Sequence, residues 1–274
     1  MDDADTSQGR LGFYHCSEVQ GEQSPFSAEA SEPYTIHRAN GGFLAAVLLR
    51  AVAKIAQHPQ PLHISVEFFR QATLGELHVE VRKTHRGLAS EFFTLCIVQD
   101  RREIACANVW LVAPRRNVEE NLFEPPMPQV PAPNEEALFD RANAKNVGSY
   151  NGFWSNFREF HVTSDDVDSD HVLRWLSYKN DNDEIQCAYS RAARLLPICD
   201  VMWAPAVYRK FGYGSGVTLH LEVSFNGLAD GIWFLAEGYF DSWRSRIVQG
   251  GCRVWSQDGN FLASSRCTVR VRHG

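Results

Sequence analysis

The sequence predicts an α+β fold built in tandem, each half a long buried helix wrapped by a curled antiparallel sheet. Three observations predict it. Residues 62 to 112, starting Leu62-His63-Ile64-Ser65-Val66-Glu67-Phe68, lie over residues 219 to 271, starting Leu219-His220-Leu221-Glu222-Val223-Ser224-Phe225, at an offset between 156 and 158. A helix-like segment precedes each copy, at Asn40 to Gln57 and at Tyr189 to Lys210. Six of the twelve prolines fall between Pro114 and Pro133, between the two copies. A repeat of about 150 residues is too long for a solenoid and fits a duplicated domain packed as an internal dimer.

Each element has its own signal. Gly41 to Gln57 is apolar on nearly every side, which predicts a helix buried on most faces, with Asn40 able to cap its start and Pro59 beyond its end. Leu62 to Phe68 alternates with period two, and strand-like runs follow at Glu76 to Arg82, Glu91 to Val98 and Ile104 to Val112. The copies share a Gly-led second run (Gly75-Glu76-Leu77, Gly231-Ile232-Trp233) and a Gln-Asp turn (Gln99-Asp100, Gln257-Asp258) before the closing strand. The proline run favours extended backbone and reads as a linker. One buried helix followed by an antiparallel meander is the hotdog arrangement, and two in tandem make a double hotdog whose halves pair sheet edge to sheet edge. The expected divisions are residues 1–113, a linker over 114–137, and residues 138–274.

Composition narrows the function. Apolar residues make up 44% and charged residues 22% of 274, an ordinary globular composition with no run of apolar residues long enough to cross a bilayer. The acidic start Met1-Asp2-Asp3 does not read as a secretory signal, and the chain does not end in Ser-Lys-Leu, so a cytoplasmic location is expected, without excluding the peroxisome. Seven widely spaced cysteines with no C-x-x-C pair suit free thiols, and no His/Cys/Asp spacing suggests a metal. A net charge of -6 without a basic cluster gives no footprint for nucleic acid. A small-molecule partner remains, with no cofactor, no membrane partner, and homo-oligomerisation open.

The run Arg38-Ala39-Asn40-Gly41-Gly42-Phe43, the strand His63 to Arg70, the stretch Asp170-His171-Val172-Leu173-Arg174-Trp175-Leu176 and the tail Asp258 to Ser265 together resemble the double-hotdog type II acyl-CoA thioesterases, in order over nearly the whole chain. The resemblance implies hydrolysis of an acyl thioester. In that family an Asp in the second-half helix, a Thr at the start of the next strand and a Gln on the last strand orient a water against the thioester carbonyl. Position by position these fall on Asp200, Thr218 and Cys267, so the Gln is replaced by a thiol. His220-Leu221 also stands where the family often has Asp-His.

The residues carry their own chemistry. Asp200 is the single charge in Leu195 to Pro205 and reads either as a base with a pKa raised by apolar surroundings or as a helix cap after Pro197. Gly41 and Gly42 open the first buried helix, so their amides are candidates for polarising a carbonyl, or the glycines allow close packing. Thr218 either holds a water beside Asp200 or, sharing alternation with His220 and Glu222, belongs to the polar exterior. Cys267 is a structural thiol or a nucleophile needing a neighbour to lower its pKa. Phe43, Trp203 and Tyr213 are candidate substrate contacts, the last two leaning toward a ring-containing ligand. No nucleophile elbow exists around Ser215, and Gly212 to Val217 lacks the last glycine of a dinucleotide loop. The leading expectation is an acyl-CoA thioesterase with an Asp-activated water. The alternatives are a specialised-metabolism enzyme performing acid/base cyclisation, dehydration or isomerisation of a polyketide-like substrate, and a non-catalytic acyl-binding protein.

Overall fold

The structure is a computed structural model and describes residues 12–36, 38–113, 124–139, 151–162, 170–179, 187–212 and 215–272. In chain order the elements are α1 (Phe13–Cys16), β1 (Phe26–Ala30), β2 (Thr35–Ile36), β3 (Arg38–Ala39), α2 (Gly41–Ala53), β4 (Gln60–Phe68), β5 (Gly75–Arg86), β6 (Ser90–Gln99) and β7 (Arg102–Val112). They continue with α3 (Asn151–Trp154), β8 (Phe157–His161), β9 (His171–Tyr178), α4 (Ala188–Val201), α5 (Trp203–Phe211), β10 (Gly216–Phe225), β11 (Phe234–Arg244), β12 (Ile247–Ser256) and β13 (Phe261–Val271). Eleven strands form one antiparallel sheet in the order β1-β5-β6-β7-β4-β10-β13-β12-β11-β9-β8, and β2 pairs with β3.

The order reads almost alike from the middle outward in both directions. At the centre β4 pairs with β10, and Ser65 lies opposite Glu222, two residues that are equivalent at the sequence offset of 157. An approximate two-fold axis therefore passes between them. On the inner face of this seam Ile64, Val66, Leu221 and Val223 are fully buried. On the outer face Glu67, His220, Glu222 and His63 form a chain, with His220 Nδ1 2.7 Å from Glu67 Oε1 and both histidines 3.8 Å from Glu222.

Helices α2 and α4 pack against each other on the inner face, α2 over β4, β5, β6 and β7, and α4 over β10, β12 and β13. Two sequence expectations are shortened here for identifiable reasons. Helix α2 ends at Ala53 rather than near residue 57, and the buried Glu91 captures the chain just beyond it: its Oε2 accepts from Gln57 N at 2.8 Å and His58 N at 2.9 Å. The second helix, read as one piece to Lys210, breaks at Met202. Pro205 lacks an amide proton and its ring collides with the carbonyl four residues back, at Val201, where α4 stops. The break packs onto β11 because Gly238 has no side chain there; a Cβ would lie 1.8 Å from Met202 O.

The tight hairpins β6–β7 and β11–β12 each turn through two residues with positive φ, Asp100 and Arg101 in one and Ser245 and Arg246 in the other, matching the twist of the strands they join. The proline-rich chain over 124–134 is not free. Trp255 Nε1 donates to Pro125 O at 3.0 Å and Trp175 Nε1 to Pro131 O at 2.9 Å, while Met127, Val130 and Leu138 pack on Leu173, Trp233, Leu235 and Phe261. Since Trp175, Leu235 and Trp255 alternate with inward Leu176, Ala236 and Val254, this strap covers the outer face of the C-terminal half. No described helix is long and apolar enough to cross a membrane.

Glu91 gives a pH test of this architecture. Burial alone would raise its pKa, but Lys83 Nζ at 2.8 Å and the two amides outweigh burial and hold it at about 2. A carboxylate with a depressed folded pKa stabilises the fold above its unfolded pKa of about 4.3, and that contribution is lost as pH falls toward 2. Denaturant melts at pH 6 and pH 3 should therefore show Glu91→Gln less stable than the wild type by about 2 kcal/mol at pH 6, with the difference narrowing at pH 3.

Candidate active site

The N-terminus of α2 leaves four backbone N–H groups without helical partners. Asn40 N donates to Tyr34 O at 2.9 Å, and Phe43 N donates to Asn40 Oδ1 at 2.9 Å, so Asn40 is the cap that the sequence suggests. The amides of Gly41 and Gly42 turn to Asp200, Gly42 N at 2.9 Å from Oδ2. Asp200 is not an N-cap of its own helix. It stands in the last turn of α4, is 3% exposed, and serves the N-terminus of the helix in the other half.

Two side chains complete its surroundings. Asn40 Nδ2 donates to Asp200 Oδ2 at 2.7 Å, and Thr218 Oγ1 donates to Oδ1 at 2.8 Å. Burial is the largest influence on Asp200 and raises its pKa; the donors from Thr218, Gly42, Asn40 and Gly41 oppose it. Every one of these groups donates, so the set fits the ionised carboxylate.

Thr218 reaches Asp200 because of a backbone irregularity. Simple alternation would place it with His220, which points outward to Glu67. In the β10–β13 ladder Thr218 lies opposite Val269 and His220 opposite Thr268, so Leu219 is an extra, unpaired residue. This bulge resets the alternation. Thr218 and Leu221 both face inward, toward the same side as Val269 and Cys267.

Asp200, Thr218, Gly41 and Trp203 come together on the wall of one cavity of about 110 Å³ between the halves. Ile36, Leu44, Phe68, Ala72, Val201 and Ala204 give it an apolar lining, and Arg38, Arg70 and Gln71 stand exposed at its rim. Other expected residues fall elsewhere. Phe43, read as a substrate contact, is a core residue: fully buried, its ring is stacked on Tyr34 at 5.1 Å. Gly42 is off the cavity wall, and with both glycine amides engaged by Asp200 the expectation of free amides for a carbonyl does not hold. Cys267 is 2% exposed beneath the site, and its thiol pKa is raised, first by burial and then by the charge of Asp200. That is the reverse of what activates a nucleophile. Tyr213 lies outside the described residues.

Several participants were not read from the sequence. Asn40 was identified as a cap but not as an Asp200 partner. Ser265 Oγ donates to Cys199 O at 3.1 Å, anchoring the turn that carries Asp200 to β13. Arg70 and Gln71, just past the end of β4, and Trp154 give no signal short of the fold. Although no spacing in the sequence suggests metal ligands, the sheet gathers Cys96, Glu103 and Cys106 on its outer face.

An antiparallel sheet packed on a buried helix defines a hotdog-fold protein. Solved structures share the fold over nearly the full chain. A protein of unknown function with a hot dog fold from Alicyclobacillus acidocaldarius is 20% identical, with 96% of this chain and 98% of that one covered and a TM-score of 0.79. The tesB protein of Mycobacterium avium subs paratuberculosis is 17% identical (95% and 98% covered, TM-score 0.77). An acyl-CoA thioesterase II, TesB2, from Mycobacterium marinum is 14% identical (96% and 98% covered, TM-score 0.75). Residues 30–112 match the family model of the acyl-CoA thioesterase N-terminal domain, in line with the type II thioesterase resemblance read from the sequence. No curated protein matches the chain.

The helix contact at the site has no slack. A Cβ on Gly42 would lie 2.3 Å from Leu196 O and 2.6 Å from Pro197 Cα, both backbone atoms of α4. Gly42→Ala should destabilise the protein by about 3 kcal/mol through forced separation of α2 and α4. Denaturant unfolding checks this, and wild-type stability in the variant would show that the contact yields freely.

Proposed function

We propose that the protein is an acyl thioester hydrolase, acting on an acyl-CoA or a related thioester, with Asp200 as the general base. The observation that carries this reading is the buried Asp200 carboxylate, held by Thr218 and Asn40 on the wall of an apolar cavity with arginines at its rim. In this reading the acyl chain lies along Ile36, Leu44 and Phe68, and Arg38 and Arg70 face the anionic carrier. Asp200 Oδ1 accepts a proton from water, and the resulting hydroxide adds to the thioester carbonyl. The second hydrogen of Asn40 Nδ2 and the positive end of α2 face the developing oxyanion. Collapse breaks the C–S bond, and the proton passes from Asp200 to the departing sulfur, giving a thiol and a carboxylic acid.

The reading extends to the architecture. We assign a double hotdog, with one domain over residues 1–113, a linker over 114–137 and a second domain over 138–274, and one catalytic site shared between them. Helix α2 has no acidic residue, and Cys187 gives α4 no side-chain cap, so among the described residues the symmetry-related crevice has no counterpart of the Asp200 pair.

A second reading rests on Cys267. The resemblance places a water-orienting Gln there, and a buried thiol is a poor donor and acceptor. Asp200 and Thr218 alone suit proton transfer in a cyclisation, dehydration or isomerisation of a polyketide-like substrate. Mass spectrometry of products from a thioester panel separates the two: released acid and thiol support hydrolysis, whereas loss of water or an isomer with the thioester intact supports the second.

Asp200→Asn tests the base. The amide oxygen can still accept from Gly42 and Asn40 while its NH2 turns to Thr218, so the fold should survive. Turnover should drop by about 100-fold or more at unchanged circular dichroism. Because the base must be ionised and its pKa is raised, kcat/KM of the wild type should rise with pH on a limb above the ordinary carboxylate range. Full activity in Asp200→Asn would reduce Asp200 to a helix cap.

A further inference from the structure

Beyond the Asp200 cavity, the outer face of the N-terminal half carries a second cluster of reactive groups. Cys96 on β6 lies directly opposite Cys106 on β7. The same ladder has an irregularity between Ile97 and Val98, which leaves both Ile104 and Ala105 buried and turns Glu103 to the outer face beside the thiols. One ligand atom from each of Cys96, Glu103 and Cys106 lies within 4.8 Å of the others, and Cys96 Sγ is 3.8 Å from Glu103 Oε1. Both cysteines are half-buried and Glu103 is exposed, so the cluster is open to solvent and adds nothing to the core on the opposite side.

The electrostatics of this place are unusual for a surface. Along the row that crosses the sheet, Glu80 is opposite Cys96 and Glu67 is opposite Cys106, so carboxylates flank the thiols on both sides. Glu67 is engaged by His220. The Cys96 pKa is pushed up to about 12 by burial first, then by Cys106, Glu103 and Glu80. Nothing in the Asp200 chemistry uses these residues. Two sulfurs and an oxygen at this spacing are close to the arrangement around a tetrahedral Zn²⁺, where bonds of about 2.0–2.3 Å put ligand atoms about 3.8 Å apart or less.

We propose that Cys96, Cys106 and Glu103 form a binding site for Zn²⁺ or a similar thiophilic divalent cation on the outer face of the sheet. Both thiol protons leave to solvent on binding, and no group is oxidised or reduced. The resulting two thiolates and one carboxylate favour Zn²⁺ or Co²⁺ over Mg²⁺ and Ca²⁺, and the fourth coordination position faces water. A cation there also relieves the repulsion among the carboxylates in the row. A cross-strand disulfide is the competing fate of the same pair, but it would leave that repulsion in place and give Glu103 no role.

The test uses the full chain, reduced, stripped of metal and kept free of oxygen, with Co²⁺ as the probe. One Co²⁺ per chain should bind, with thiolate-to-cobalt charge-transfer absorption and the strong visible bands of a four-coordinate ion, and Zn²⁺ should displace it. Cys96→Ser and Cys106→Ser should each abolish the thiolate-to-cobalt spectrum of the pair, and Glu103→Gln should weaken binding by about tenfold. In the wild type, Zn²⁺ should protect Cys96 and Cys106 from alkylation while the exposed Cys187 stays reactive, a readout that needs no variant to fold. Absence of charge transfer, its persistence in the Cys96→Ser/Cys106→Ser double variant, or equal alkylation with and without Zn²⁺ would overturn the proposal. So would recovery of the pair as a disulfide from cells lysed without reductant.

Discussion

The carboxylate of Asp200 at the N-terminus of α2 is the contact on which the rest of the arrangement hangs. It brings the last turn of a helix in one half against the first turn of a helix in the other, and the start of β10 closes over it. Removing a carboxylate from water costs several kcal/mol, on the order of what a whole domain retains as net stability. Four donors and the positive end of α2 offset that cost. The same donors that make burial tolerable fix the orientation of both oxygens. Asp200 thus caps the helix of the other half, and the polarity of that helix holds its charge in place.

The sheet supplies the frame for that contact. Its two central strands pair about an approximate two-fold axis, yet the halves have diverged where the helices meet. One crevice has Asn40, two glycines and Asp200; at the other, Cys187 gives the helix start no side-chain cap. The C-terminal half has its outer face covered by the proline-rich strap, whose carbonyls accept from two indoles. The N-terminal half has no such cover over Cys96, Cys106 and Trp110 among the described residues. Near-symmetry of the backbone has thus been kept where strands pair and given up on both faces.

How much of this was legible in the sequence varies with the range of the interaction. Strands β4 to β7 and the start of α2 follow from alternation and capping within a dozen residues, and the self-match even anticipates that Ser65 and Glu222 are equivalent. Helix α4 was readable but its break was not placed, although Pro205 marks it. The pairing of Asn40 with Asp200 spans 160 residues and leaves no local trace. Glu91, reaching the chain beyond α2, is hidden for the same reason. Phe43 misled because proximity in sequence to Asn40 and Gly42 does not decide which way a helical side chain turns. Cys96 and Cys106 meet only through strand register, which spacing along the chain does not reveal.

The bulge at Leu219 makes the start of β10 tolerant of a change in length. Leu219 is one residue too many between position 218 and the seam, and the strand sheds it as a bulge, while everything from Leu221 onward keeps its pairing with β4 and β13. Removing Leu219 would leave Thr218 directly before His220 in a regular ladder, still opposite Val269 and still turned toward Asp200. The orientation of the hydroxyl at this cavity is therefore set by where the ladder takes up the extra residue, and pairing Leu219 in register, without the bulge, is what would turn it to the outside.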